Sequence, residues 1–192
     1  GESLVKGLEN LVADLEANNG ELVVRLVDEE AFEVGGNIAT AEGKVVWRNR
    51  MMELIQYSPT TEQVHETPMV IFPPWINKYY ILDLRKENSL IQWAVDQGHT
   101  VFVISWVNPD GKLAEKTFDD YLLEGPMAAM DAIERATGED EINALGYCIG
   151  GTLLAAALAT MAAKKDTRVA SATFLTTMID FEDAGELAVF ID

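Results

Sequence analysis

At 192 residues, with 48% apolar content and a mean hydropathy of +0.04, the chain can enclose a core and is too apolar for disorder to be its main state. Its 32 acidic residues against 14 basic give a formal charge of −18, which repels phosphate backbones and anionic lipid headgroups and argues against nucleic-acid binding. One cysteine excludes an intrachain disulfide, and no stretch reaches the roughly 18 consecutive apolar residues of a membrane span, so a cytoplasmic setting is expected.

Leu4, Leu8, Leu11 and Leu15 share one helical face, and Asn18-Asn19-Gly20 ends that helix. Gly35-Gly36 and Gly43 punctuate the next stretch, and a β-leaning run from Lys44 to Tyr57, closed by Ser58-Pro59, reads as a first pair of strands. Met69 to Phe72 is a short apolar strand that ends in Pro73-Pro74, followed by a helix from Ser89 to Gln97. Thr100 to Trp106 is the next apolar run, and a helix from about Asp119 to Ala136 succeeds it, with Met127, Met130 and Ile133 at helical spacing. Then come a strand from Ile142 to Tyr147, an Ala-rich helix from about Gly151 to Lys165 and a strand from Val169 to Thr177. Apolar strands alternating with helices of this length predict parallel βαβ units in a doubly wound α/β sheet, with ligands at the carboxyl ends of the strands.

The chain opens on Gly1 directly into a helical pattern and closes on an apolar run from Leu187 to Ile191. A part of a longer protein is therefore expected, with a sheet whose last strand leaves an open edge.

Gly146-Tyr147-Cys148-Ile149-Gly150 follows a buried strand and opens a helix, as a G-x-nucleophile-x-G elbow requires, with cysteine as the nucleophile. Gly146 and Gly150 leave room for the tight strand-to-helix crossing, and the Cys148 thiol then lies at a helix N-terminus. The Ile149 amide would supply one oxyanion donor. A second would come from the loop after the Met69 strand, with Trp75 or Ile76 as candidates. The plain alternatives are a cysteine that only packs beside a turn and a rigid aromatic loop that covers the sheet end.

A base is harder to find. In this fold the order along the chain is nucleophile, acid, histidine, yet His65 and His99 both precede Cys148. His99 sits where a helix ends and a strand begins, at the far end of the sheet, and both histidines read as surface or turn residues. Asp180 could hold an acid or cap a loop, and Lys78 reads as a solvated side chain. No triad is complete, so this stretch is expected to be inactive alone. From the residues alone, a cysteine hydrolase such as a dienelactone hydrolase or a thioesterase stays open, as does a non-enzymatic scaffold.

Phe32 to Thr40, Gln56 to Pro59, Pro73 to Leu84, Gly98 to Phe102, Ser105-Trp106-Val107-Asn108-Pro109, Gly146 to Thr152 and Leu175 to Phe181 together resemble the polyhydroxyalkanoate synthases, and the similarity runs from end to end. The Cys148-Ile149-Gly150-Gly151-Thr152 block and the Met178-to-Gly185 stretch look most like class I enzymes. The resemblance implies an incomplete α/β-hydrolase fold, with residues 1–42 ending an N-terminal region and 43–192 opening the catalytic domain. It implies an acyltransferase that polymerises short-chain 3-hydroxyacyl-CoA through an acyl group on Cys148, releasing CoA. The family's catalytic aspartate and histidine would lie beyond Asp192. No metal or cofactor is expected, the CoA thioester being substrate. The expected partners are the growing polyester, a second copy in a homodimer, and the granule surface with its associated proteins.

Overall fold

The computed structural model describes residues 1–28 and 30–190; Ile191, at the end of the closing apolar run, and the side chains of Leu187, Ala188 and Phe190 lie outside the described part. Compact units divide at Glu33 and Val34.

In the first unit, helix α1 (Glu2–Ala17) carries the predicted leucine stripe, with Leu4, Leu8 and Leu11 between 38% and 66% exposed. Asn19 and Gly20 both take positive φ, and the Gly20 amide donates to the Leu15 carbonyl at 2.8 Å, which closes the helix as the Asn-Asn-Gly sequence suggests. Arg25 Nε donates to Asp14 Oδ1 at 2.8 Å, folding the following extended stretch back onto α1.

The second unit is built on a six-stranded sheet. Its strands are β1 (Gly43–Arg48), β2 (Met52–Tyr57) and β3 (Met69–Phe72), then, after a small hairpin of β4 (Asp83–Arg85) and β5 (Asn88–Ser89), β6 (Val101–Trp106), β7 (Ile142–Tyr147) and β8 (Val169–Leu175). The order across the sheet is β1-β2-β6-β3-β7-β8. β1 and β2 form the expected pair, antiparallel to each other, and β2 runs antiparallel to β6. The turn between them is held by Asn49, whose side-chain oxygen accepts from the Met51 and Met52 amides at 2.8 and 2.9 Å. β6, β3, β7 and β8 are parallel, as the apolar runs predict.

The runs of β3 and β6 are almost wholly apolar because both of their faces are covered. On one side Phe102, Ile104 and Val70 meet Met130 and Ile133 of helix α4 (Ala128–Thr137) and Leu153 and Leu154 of helix α5 (Ile149–Lys164). On the other, Val101, Val103 and Ile71 meet Ile91, Ala94 and Val95 of helix α2 (Leu90–Asp96). β8 closes the described sheet as an exposed strand, with Phe174 41% accessible. Among the described residues no helix is long and apolar enough to cross a membrane.

Two features depart from the sequence reading. The helix expected from Asp119 to Ala136 is helix α3 (Phe118–Leu122), a π-turn over Leu123–Met127, and α4. Pro126 lies inside the π-turn, where its missing N–H breaks the α-helical ladder. The β4–β5 hairpin was not expected; it starts at Asp83, a fully buried carboxylate that accepts from the Ala41 amide at 3.0 Å while its carbonyl accepts from Ala39.

At the amino end of β8, Arg168 ties three elements. It donates to both oxygens of Asp166, to Asp131 of α4 at 2.6 Å and to Glu134 at 3.2 Å, with its side chain 19% exposed. Hydrogen bonding to Arg168 holds the Asp166 carboxyl below its ordinary range. That contribution is present at neutral pH and is lost as the pH falls through the folded-state value. Replacing Arg168 by Ala in the full-length protein is expected to cost about 1–2 kcal/mol at pH 7, and less at molar salt. Chemical denaturation at both salt concentrations checks this.

Candidate active site

β7 delivers its last residue, Tyr147, to a single-residue turn and α5 begins at once on the other side. That turn is Cys148, at φ 54° and ψ −127°, a region a side chain rarely occupies and the one an elbow imposes on its nucleophile. The conformation is held from two directions. The Cys148 amide donates to the Leu175 carbonyl at the end of β8 at 2.9 Å, and its carbonyl accepts from Gly151 and Thr152 at 2.9 and 3.3 Å. The thiol is partly accessible.

The predicted elbow glycines are there for want of space. A Cβ on Gly146 would collide with the Gly151 Cα and stand 2.9 Å from its nitrogen; one on Gly150 would collide with the Phe72 carbonyl oxygen and stand 2.8 Å from its carbon. A third glycine escaped the sequence reading. A Cβ on Gly151 would strike the Thr177 hydroxyl and stand 2.8 Å from its Cγ2. The glycine doublet was visible, but its partner lies 26 residues downstream of it and nothing local announces the contact. Thr152 fastens the same neighbourhood by donating to the Met178 carbonyl at 2.7 Å.

Ile149 is the first residue of α5, so its amide belongs to the helix turn that has no intrahelical acceptor. The helix starts two residues earlier than expected, which brings that amide into the turn itself. Across from it, the loop after β3 carries both remaining candidates. The Trp75 ring is half-buried against Trp106, Phe118 and Tyr121 at centroid distances of 6.2, 6.1 and 4.9 Å, while Ile76 is 70% exposed. Among the described residues neither the Trp75 nor the Ile76 amide donates to a backbone or side-chain acceptor. Lys78 Nζ donates to Asn108 at 2.9 Å.

No histidine reaches this end of the sheet among the described residues. β6, β3 and β7 are parallel; Cys148 follows the carboxyl end of β7, whereas His99 precedes the amino end of β6. There His99 stacks near His65 at 4.8 Å, and His65 Nε2 lies 3.1 Å from the Gln97 carbonyl. Asp180 is exposed, and its carboxylate accepts from the Glu182 amide at 3.0 Å in a local turn. Among the described residues no cluster of three or more His, Cys, Asp or Glu side chains could hold a metal ion.

Residues 1–94 match the family model described as the N-terminus of poly-beta-hydroxybutyrate polymerase (PhaC). Over all 192 residues the chain is 54% identical to the poly(3-hydroxyalkanoate) polymerase subunit PhaC of Rhizobium meliloti, covering 31% of that protein. It is 55% identical to the poly(3-hydroxyalkanoate) polymerase of Methylorubrum extorquens and 47% identical to the subunit PhaC of Cupriavidus necator, in each case over the whole chain and 32% of the relative. The chain is similar from end to end to the polyhydroxyalkanoate polymerases. It spans about a third of the length of these relatives. The fold is that of the α/β hydrolases: a fungal esterase from Rhizomucor miehei aligns over 83% of this chain and 50% of its own, with a TM-score of 0.54 at 18% identity. The esterase ESTFA aligns over 96% of this chain and 56% of its own, with a TM-score of 0.51 at 10% identity.

Two outcomes follow from this geometry. Gly151→Ala is expected to destabilise the full-length protein by about 1–3 kcal/mol, because the new methyl must displace Thr177. Thr177→Gly should recover at least half of that loss in the double variant, whereas Gly150→Ala, which meets backbone, should have no such remedy; denaturation midpoints of the set decide it. The second concerns the histidines. Burial, and then the neighbouring His65, lower the His99 pKa below its ordinary value, so the folded state favours the neutral ring. Stability is then full above about pH 6.5 and declines as the pH falls toward the folded-state value. His99→Gln should flatten that slope between about pH 7 and 5, read from melting temperatures across the range.

Proposed function

We propose that Cys148 is the acyl carrier of a polymerase that joins 3-hydroxyacyl-CoA units into polyhydroxyalkanoate, with the catalytic acid and base supplied from the part of the family's sequence this chain does not span. The observation that carries the reading is a cysteine at φ 54° between β7 and α5, in a chain 47–55% identical over its whole length to proteins named poly(3-hydroxyalkanoate) polymerases.

The chemistry suits a sulfur nucleophile. The Cys148 sulfur attacks the thioester carbonyl carbon, the negative charge collects on the carbonyl oxygen near the Ile149 amide, and the bond to the CoA sulfur breaks. One thioester replaces another at nearly equal energy, so the acyl group remains activated. The hydroxyl of a second unit then attacks that carbonyl, gives up its proton to the base, and forms the ester bond while Cys148 leaves as its thiolate. A serine would hold the same acyl group as an oxygen ester, a poorer donor. The Cys148-to-Thr152 block and the Met178-to-Gly185 stretch favour class I chemistry on short-chain substrates such as 3-hydroxybutyryl-CoA. A cytoplasmic homodimer working at the polyester granule surface, with granule-associated proteins as neighbours, completes the reading.

In the full-length polymerase, Cys148→Ser is expected to cut polymer formation by about 100-fold or more while leaving the fold intact. Intact-mass analysis after exposure to 3-hydroxybutyryl-CoA should find one acyl unit on Cys148. Near-normal polymer from the serine variant, or free hydroxyacid as the main product of the unaltered enzyme, would sink the assignment.

A further inference from the structure

Trp106 ends β6 at the same edge of the parallel sheet as Cys148, and it does more there than fill space. Its indole N–H donates to the Pro73 carbonyl at 2.8 Å inside the core, with the residue only 8% exposed. Pro73 and Pro74 open the loop that carries Trp75 and Ile76, and neither proline has an N–H by which the loop could be held. The Pro73 carbonyl offers a handle at the start of the loop. On the opposite side, the Phe72 carbonyl and the Pro73 backbone carbon lie against the Cα of Gly150, in the first turn of α5. The start of the loop is thus clamped between the nucleophile's helix and one indole.

The indole is itself immobilised. Gly125, in the π-turn, leaves room for its six-membered ring; a Cβ there would stand 2.9 Å from Cζ3. Trp75 meets the ring edge-on at 81°, and Tyr121 lies 5.4 Å away. The π-turn, unexpected from sequence, places this glycine against the indole.

We propose that Trp106 is a positioning residue, whose hydrogen bond to Pro73 fixes the direction of the Trp75 and Ile76 amides and so sets the second oxyanion donor for attack at Cys148. The inference rests on the reading of Cys148 as the acylated nucleophile.

Trp106→Phe in the full-length polymerase removes the N–H and keeps an aromatic ring in the slot. Two reactions of the same sulfur separate positioning from general damage. Single-turnover acylation of Cys148 by 3-hydroxybutyryl-CoA passes through an oxyanion, whereas alkylation by iodoacetamide does not. Acylation should slow by about 10- to 100-fold, with alkylation unchanged within about two-fold and the KM for the thioester little altered. Unchanged acylation, or acylation and alkylation falling together, would overturn the proposal. If the unaltered enzyme takes no acyl group on Cys148, the proposed function fails and the inference with it; if only the Trp106→Phe comparison fails, that function stands. Should the phenylalanine variant not fold, β-(3-benzothienyl)alanine placed at position 106 keeps the indole's shape without its N–H and yields the same two rates.

Discussion

The passage from β7 into α5 goes through one residue of positive φ, and the atoms around it leave no room for a side chain at Gly146, Gly150 or Gly151. Everything at this end of the molecule is arranged by that crossing. Gly146 lets the first turn of α5 settle on the strand, Gly150 admits the end of β3, and Gly151 admits Thr177 from the segment after β8. Three neighbouring chain segments are therefore drawn to within van der Waals contact of the residues flanking Cys148. A residue held in such backbone geometry costs on the order of 1–3 kcal/mol, and it persists only where the surroundings over-determine it. Here the surroundings are the buried strands β3 and β7 and hydrogen bonds to both the amide and the carbonyl of Cys148.

The two ends of the sheet are chemically distinct. At the carboxyl ends stand the thiol, the first turn of α5, the proline-stiffened loop and the aromatic group of Trp75, Trp106, Phe118 and Tyr121. At the amino ends stand the His65–His99 pair and the Arg168 network, groups that join helices to strands. Parallel strands make this separation unavoidable: residues before β6 and after β7 cannot meet without a reversal of the chain. His99, which precedes β6, therefore lies at the opposite end of the sheet from Cys148, in keeping with its position ahead of Cys148 in the chain.

What could be read from the sequence follows the range of the interaction involved. The strand from Met69 declares itself by an apolar run, because burial on both faces favours apolar residues along it, whereas those from Ile142 and Val169 declare themselves by apolar and β-branched residues between helices, β8 lying exposed among the described residues. The elbow declares itself because strand, glycine spacing and helix occur within a few consecutive residues. The π-turn at Leu123–Met127 does not, since Pro126 alone is equally compatible with a helix end, and the Trp106 indole that Gly125 accommodates lies on another element. The β4–β5 hairpin stayed hidden for a similar reason: Asp83 reads as an ordinary polar loop residue until the amides of Ala39 and Ala41 are seen to converge on it. Gly151 and Thr177, like Trp106 and Pro73, are long-range pairs whose members look unremarkable apart. A single sequence exposes local and periodic constraints; it conceals those satisfied across the sheet.

The loop after β3 shows how the two kinds of constraint combine. Two prolines give it stiffness that needs no partner, since each ring fixes its own φ, but stiffness does not set direction. Direction requires contacts outside the loop, and removing two amides from a short segment leaves few groups to make them. The Pro73 carbonyl takes one side of the task through Trp106, and close approach to Gly150 takes the other. The Trp75 and Ile76 amides are left without acceptors among the described residues, while the next amide, of Asn77, donates to the Pro74 carbonyl at 3.2 Å. A donor that already faces a backbone oxygen would have to break that bond to meet a developing oxyanion, whereas an amide held open by its neighbours needs no such rearrangement. A loop poor in N–H groups, anchored by a carbonyl and a steric stop, is thus a direct way to keep the Trp75 and Ile76 donors unspent beside Cys148, the residue proposed to carry the acyl group.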